Sequence, residues 1–581
     1  MAIGAQRRHA DRVGGDEEAV TATRSRRAGM AWVSAAVLFL AMAIAETWPF
    51  ALHPGSTMPG PMGGDVSISV AKFQLYADEG VSPFLTGSLR TVGWPEGVAT
   101  TPSLDVLSGL STGFLYLGAI LVGSVAAHGL LAILGYALTG LVTFGFVRDV
   151  TGSAAAGLIA GLAYAGAANL TINIWAVTVY AQGWLFVLCM WAAWRLAVRP
   201  SLRIALLLGL AYLASLFWTP YFALHAAVVA GASVAVAVLV PTEAGAGVGR
   251  RLRLAAVSAA VWLAGVAAYL ALNVATGFAD VPERALTDHF DKSAHPLMYL
   301  VPGAFAKLWG PGPSEWLTEQ VPRALSLNLY LGASVIVLSV VAVVALLGPW
   351  LRRRGPMTPV QVATLIAGAV ALACMLFSLP PRVLDGRVPM PGYLVAELAP
   401  QFRTPLRFVM AVLAGTSVLA GLGAFVLLRH VRGHVLAAGL TVAIGLVIVL
   451  DTLVVPPESW VRTPTPSGAL AELREAPDGP AIHYLSTGFL DSPAPRACFV
   501  AREHRKPIAN ACAIRLDRPP RLVAWETMPV CGALRAERDA GIRYVIADVS
   551  RPDVGDCLTG NPALGRVLAT DDQLTVFALR P

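Results

Sequence analysis

Three short stretches carry residues suited to chemistry. In "GPMGGDVSISVAK", Asp65 follows Gly63 and Gly64, shortly after the first long apolar run. A carboxylate there can take the proton from a hydroxyl that reaches it; a solvated loop acid beside a turn is the plainer reading. In "FRTPLRF", Arg403 and Arg407 lie four apart. On a helix they share one face, and a guanidinium fork suits a pair of phosphate oxygens; snorkelling to lipid phosphates is the alternative. Arg382 and Arg387 are secondary candidates for the same role. "DHFDKSAH" holds Asp288 and Asp291 beside two histidines. These are weak candidates for a divalent metal, because no spacing here matches a specific site.

The elements that must position these groups are membrane helices. The chain has 581 residues, 56% hydrophobic and 14% charged, with a mean hydropathy of +0.64; soluble domains carry about 25% charged residues. The net charge is +7, almost all of it arginine, with only four lysines. Arginine over lysine, with heavy alanine, glycine and valine usage, points to a GC-rich bacterial genome. Residues 1–29 are polar, carry six arginines and are expected to be a disordered cytoplasmic N-terminus. The following run, near 30–50, exceeds the roughly 7–15 residues of a signal-peptide core and is expected to stay as a first span, since about 20 apolar residues cross a bilayer.

Eleven spans are expected within a transmembrane domain covering 30–456, near 30–50, 126–147, 153–171, 178–197, 203–218, 221–240, 254–275, 328–350, 358–379, 406–428 and 435–456. In that register each inner connection is short and basic: Arg148; Arg195, Arg199 and Arg203; Arg250, Arg251 and Arg253; Arg352 to Arg354; Arg429 and Arg432. Most acids fall in outer connections 51–125, 276–327 and 380–405, so the positive-inside rule is obeyed. The apolar Val106–Gly123 would invert every later loop if it spanned. It is therefore expected to be re-entrant or interfacial. Tyr180, Gln182, Trp218, Tyr221 and His225 lie at span ends, where aromatics mostly anchor helices at the interface. Trp94 and Pro95 suit a rigid turn at headgroup depth.

Residues 457–581 change character. "RYVIADV" and "LTVFALRP" read as strands, and "SGALAELREA" as a capped helix start, giving a small α/β domain outside the membrane. Cys498, Cys512, Cys531 and Cys557 all fall in it, which suggests two disulfides with three possible pairings. There is no Walker A motif, Rossmann fingerprint or GxSxG elbow, and no aromatic-interleaved basic patch for nucleic acid.

An acid in the first outer loop, interfacial helices after it and many spans resemble the GT-C superfamily, integral-membrane glycosyltransferases that use polyprenyl-phosphate sugars. "VGWPEGVATTPSLDVLSGL" (92–110), "RDVTGSAAAGLIAGLAYAGAANL" (148–170), "HPLMYLVPG" (295–303) and "FRTPLRF" (402–408) carry the likeness. The resemblance implies a base at Asp65, with Asp78, Glu79 or Glu96 as a second first-loop acid. Trp94 and Glu96 join Arg403 and Arg407 as candidate substrate contacts. It further implies a polyprenyl-phosphate sugar donor, a glycan or lipid acceptor on the outer face of the plasma membrane, inversion by a single displacement and, in some members, a divalent metal. The rival is a non-catalytic relative, a lipid or polymer transporter or an envelope-assembly scaffold. Transport is disfavoured by the lack of internal repeats.

Overall fold

The computed structural model describes residues 29–60, 64–100, 107–243, 247–275, 286–321, 328–353, 355–383, 387–400, 402, 404–455, 460–462, 467–485, 500–510 and 528–580. The expected N-terminal segment 1–28, Arg403, Cys498 and Cys512 lie outside them.

Eight described helices are long and apolar enough to cross a membrane: Gly29–Glu46, Ser124–Thr151, Pro220–Leu239, Val248–Leu272, Ala333–Arg353, Pro359–Ser378, Pro405–Leu428 and His434–Thr452. Ala154–Ala165 and Ala168–Tyr180 count as a ninth if taken as one span bent by 43°. The two other expected spans are Trp184–Val198 and Leu202–Leu216, 15 residues each. At 1.5 Å per residue each is about 22 Å of helix, yet Trp184–Val198 leads from Tyr180 at one end of the bundle to Arg195 at the other, and Leu202–Leu216 returns to Phe217.

Pro405–Leu428 is the central helix, with 83% of its apolar window buried. Its small residues explain that place. A Cβ on Gly423 would come within 2.0 Å of the Leu338 carbonyl oxygen, so only glycine lets the two backbones meet. In lipid, such close approach replaces the hydrophobic effect as the source of cohesion.

The short basic connections gather at one end of the bundle. There Arg195 pairs with Asp149 at 2.8 Å, Trp194 donates to the Pro359 carbonyl, Arg250 donates to the Pro200 carbonyl, and Glu243 N–H donates to Met357. The long connections gather at the other end, here the loop face. Gly109–Val122 belongs there. It has 14 residues; at its start Leu110 N–H donates to the Phe217 carbonyl, and just past its end Ser124 N–H donates to Gln74 at 3.1 Å. Both ends are thus tied at the loop face, with Leu117, Ile120, Leu121 and Val122 turned outward. This is an interfacial helix.

The tail holds a four-stranded sheet. Ala481–Tyr484 runs parallel to Tyr544–Asp548; Leu574–Leu579 pairs antiparallel with Tyr544–Asp548, and Gly565–Thr570 antiparallel with Leu574–Leu579. All five residues of "YVIAD" are buried, as expected of a central strand covered on both faces. The helices Val530–Asp539 and Pro552–Gly560 are joined by the Cys531–Cys557 disulfide.

Two pairings fasten the first loop to the tail. Thr57–Pro59 pairs antiparallel with Trp460–Arg462. Ile508 bridges both Ala481 and Val92: its N–H donates to the Thr91 carbonyl at 2.7 Å, Trp94 N–H donates back to the Ile508 carbonyl at 3.0 Å, and Gly93 N–H donates to Asn510 at 3.2 Å. The first loop therefore adds an edge strand to the tail's sheet.

Candidate functional site

The helix Asp65–Glu79 begins at Asp65, behind a Gly64 cap that offers no side chain. Ser67 Oγ donates to the Gly64 carbonyl at 2.7 Å and tightens the first turn. Just upstream, Gly60 (φ +80°) passes Trp175 so closely that a Cβ would stand 2.2 Å from its carbonyl oxygen. The helix buries Val66, Val70, Phe73 and Tyr76. His128 Nδ1 donates to the Ser124 carbonyl, since a carbonyl can only accept, which leaves Nε2 to accept from Ser69 Oγ at 2.9 Å. These contacts fix the helix on the bundle and leave Asp65 exposed at its N-terminus, where the helix dipole favours a carboxylate.

Arg407 lies in the turn Pro405–Phe408 that opens the central helix. Leu406 N–H donates to the Lys292 carbonyl at 3.1 Å, which ties this turn to the second long loop. The guanidinium sits 4.3 Å from the Tyr180 ring centroid and 4.5 Å from that of Tyr221. The two rings meet edge to face. The two ring contacts come from directions roughly at right angles, so the rings line one side of the guanidinium and leave N–H donors on its other side for an oxygen ligand. Among the described residues no carboxylate or carbonyl takes them. The Asp65 carboxylate is within electrostatic reach of the same Tyr180 phenol. Acid, aromatic pair and guanidinium thus converge at the loop face from three distant parts of the chain. Beside them Tyr221, His225, Phe377, Val395, Phe402 and Phe408 line a narrow apolar slot.

Tyr180 and Tyr221, read as interface anchors, also carry the contact with Arg407. Gln182 and Trp218 hold it in place: Gln182 Nε2 donates to the Leu131 carbonyl, and Trp218 Nε1 to the Val179 carbonyl. His225 packs on Phe408, centroids 4.4 Å apart. Arg403 lies outside the described residues. Arg382 stacks on Tyr393 at 4.8 Å, and Arg387 is exposed on the neighbouring hairpin.

The other first-loop candidates sit elsewhere. Glu79 accepts from the N–H groups of Arg90 and Thr91, at 2.7 and 3.1 Å, and so fixes the backbone. Asp78 accepts from Gln74. Trp94 packs, partly buried, against the tail's hydrophobic core, beside Gly541. Glu96 is exposed on the turn after it. Asp291 is exposed at the end of the helix Leu286–Asp291, and the Asp288 side chain lies outside the described residues. Among the described residues no three His, Cys, Asp or Glu side chains stand close enough to hold a metal ion.

No protein-family model matches the sequence, and no curated protein sequence does. Solved structures do match. Arabinofuranosyltransferase AftD from mycobacteria is similar with a TM-score of 0.50 at 16% identity, over 94% of this chain and 41% of AftD. ArnT from Cupriavidus metallidurans gives 0.48 at 15% identity in its apo state, over 95% of this chain and 98% of ArnT. Its complex with undecaprenyl phosphate gives 0.43 at 14% identity, over 93% and 97%. The chain has the GT-C fold. It spans about two fifths of the length of AftD.

Within the GT-C fold one buried acid escaped the sequence reading. Asp451, near the end of the last span, accepts from Tyr330 Oη at 2.8 Å, from Ser334 N–H and Oγ at 2.8 and 2.7 Å, and from Trp309 Nε1 at 3.2 Å. With so many donors it is a structural carboxylate that pins the second loop and the start of Ala333–Ala342 to the last span. Its polar neighbours lie more than a hundred residues away, so no local pattern announces it.

Proposed function

We propose that the chain transfers a sugar from a polyprenyl-phosphate donor to an acceptor hydroxyl on the outer side of the plasma membrane, with the N-terminus and basic connections cytoplasmic. The observation that carries this reading is Arg407 set against the rings of both Tyr180 and Tyr221, with Asp65 in electrostatic reach of the same Tyr180. The AftD-like fold supports the reaction class. The phosphate of the donor lies against Arg407, with Arg403 as a second candidate contact. The acceptor oxygen attacks the anomeric carbon as the carbon–oxygen bond to phosphate breaks. The acceptor proton passes to the Asp65 carboxylate, and the charge that develops on the departing lipid phosphate is met by Arg407. One displacement of this kind inverts the anomer. A divalent metal is not required by any of these steps.

The test uses right-side-out vesicles containing the full chain, a panel of polyprenyl-phosphate sugars and a cell-envelope acceptor extract. Asp65→Asn keeps the side chain's size and removes the base. Turnover is expected to fall about 10²–10⁴-fold while donor binding persists. Equal turnover in wild type and Asp65→Asn would reduce Asp65 to a loop acid. Transfer only when substrates reach the cytoplasmic side would overturn the orientation, and no transfer from any donor would leave the scaffold reading standing.

A further inference from the structure

A second cavity, open to solvent and about 580 Å³, lies at the seam between the first loop and the tail. One wall is the far end of the helix that starts at Asp65, with Gln74 and Asp78 facing in. The opposite wall belongs to the tail: Arg474, Arg502, Glu503 and Arg505. The helix has 15 residues, so this cleft stands about 20 Å from Asp65. It is separate from the Arg407 slot.

Three features show that the cleft is built. The edge strand of the first loop holds the two walls together through Ile508. The buried Lys506 Nζ donates to the Ala476 carbonyl at 2.6 Å and to Asp478 at 3.2 Å, locking the tail wall. Arg505 has φ +57° and, among the described residues, is the one non-glycine in the left-handed region. Its N–H closes a turn onto the Ala501 carbonyl, a position where glycine is the usual, unstrained residue. An arginine kept there at a cost in backbone strain has a use for its side chain, and that side chain lines the cleft.

The lining selects the ligand class. Three arginines face three carboxylates, those of Asp78, Glu79 and Glu503, so the cleft has no net attraction for a polyanion. Burial raises the Glu503 carboxyl above its usual value while Arg502, Arg474 and Arg505 pull it down, which places all three guanidinium groups around it. No aromatic ring is present among the lining residues and most of the exposed lining is polar, which disfavours a lipid. Planar guanidinium, carboxylate and carboxamide groups offer paired donors and acceptors, the complement of neighbouring hydroxyls on a sugar ring. We infer that this cleft binds a neutral oligosaccharide, the growing glycan acceptor of the transfer reaction, at a subsite remote from the reacting hydroxyl. The inference rests on the transferase reading for the word acceptor, and on the cleft alone for the glycan.

The experiment is a titration of the full chain in lipid nanodiscs with linear and branched neutral oligosaccharides of pentoses and hexoses, their sulfated counterparts and inorganic phosphate. Wild type is expected to bind at least one neutral oligosaccharide, and Arg505→Gly and Arg502→Gln to bind it about tenfold more weakly. Glycine relieves the left-handed strain, so the Tm of Arg505→Gly should equal or exceed that of wild type while binding falls. The inference is overturned if no neutral oligosaccharide binds, if both variants bind as wild type does, or if sulfated forms or phosphate bind more tightly. Oligosaccharide binding weakened by the variants, without sugar transfer from any donor, would sink the transferase reading and leave the glycan cleft intact. Transfer without oligosaccharide binding would do the reverse.

Discussion

At the candidate site Arg407 packs against two tyrosine rings, with no carboxylate on its N–H donors among the described residues. In the tail cleft three arginines crowd one glutamate and neutralise its surroundings. The same side chain sits against two rings in the first place and forms part of a balanced polar lining in the second. The difference teaches that charge count alone does not assign an arginine: its neighbours do.

The contrast breaks most visibly at Arg407. Arg407→Ala should weaken binding of a polyprenyl phosphate about 10–100-fold, the loss of charged hydrogen bonds, whereas Arg505→Gly should leave it unchanged. Lipid binding to purified protein in nanodiscs measures both, and equal affinity in wild type and Arg407→Ala would erase the distinction. A smaller effect separates the regions by stability. Replacing both Cys531 and Cys557 with serine opens a loop of 26 residues and should cost the tail about 2–4 kcal/mol, read by hydrogen exchange. Donor binding should not move; if it does, the two regions are not independent.

The smallest effect is a pH dependence confined to the tail. Burial pushes the Glu537 carboxyl up to about 7 from its ordinary 4.5, against the pull of the Tyr484 hydroxyl that donates to it. The folded tail then holds a proton that the unfolded chain releases above about 4.5. The stability linked to it is complete below that pH and is lost as pH rises through about 7. Glu537→Gln, always neutral, should flatten this fall between pH 5 and 8 when tail exchange rates are compared with wild type. An identical pH profile in both proteins would remove Glu537 as its source.

Much of the bundle was legible because apolar runs and basic turns are local signals, and Asp65 stood out because it follows a span directly. The ring contact at Arg407 was not. Tyr180, Tyr221 and Arg407 are brought together by helix packing, and hydropathy sees each ring only as an interface anchor. The packing of Trp94 on the tail was not legible either, because the pairing between residues 91–94 and 508–510 has no local signature. The strain at Arg505 is a backbone angle, and nothing in "AREHRKP" records it.

The pairing of Thr57–Pro59 with Trp460–Arg462, and of the Thr91–Trp94 strand with Ile508 and Asn510, sets an order of events in biosynthesis. The segment bearing Asp65 leaves the ribosome early, yet both of its fastenings arrive some four hundred residues later. A nascent or truncated chain therefore has the carboxylate before either fastening exists, and the first loop takes its final place only after residues 460–510 have been made.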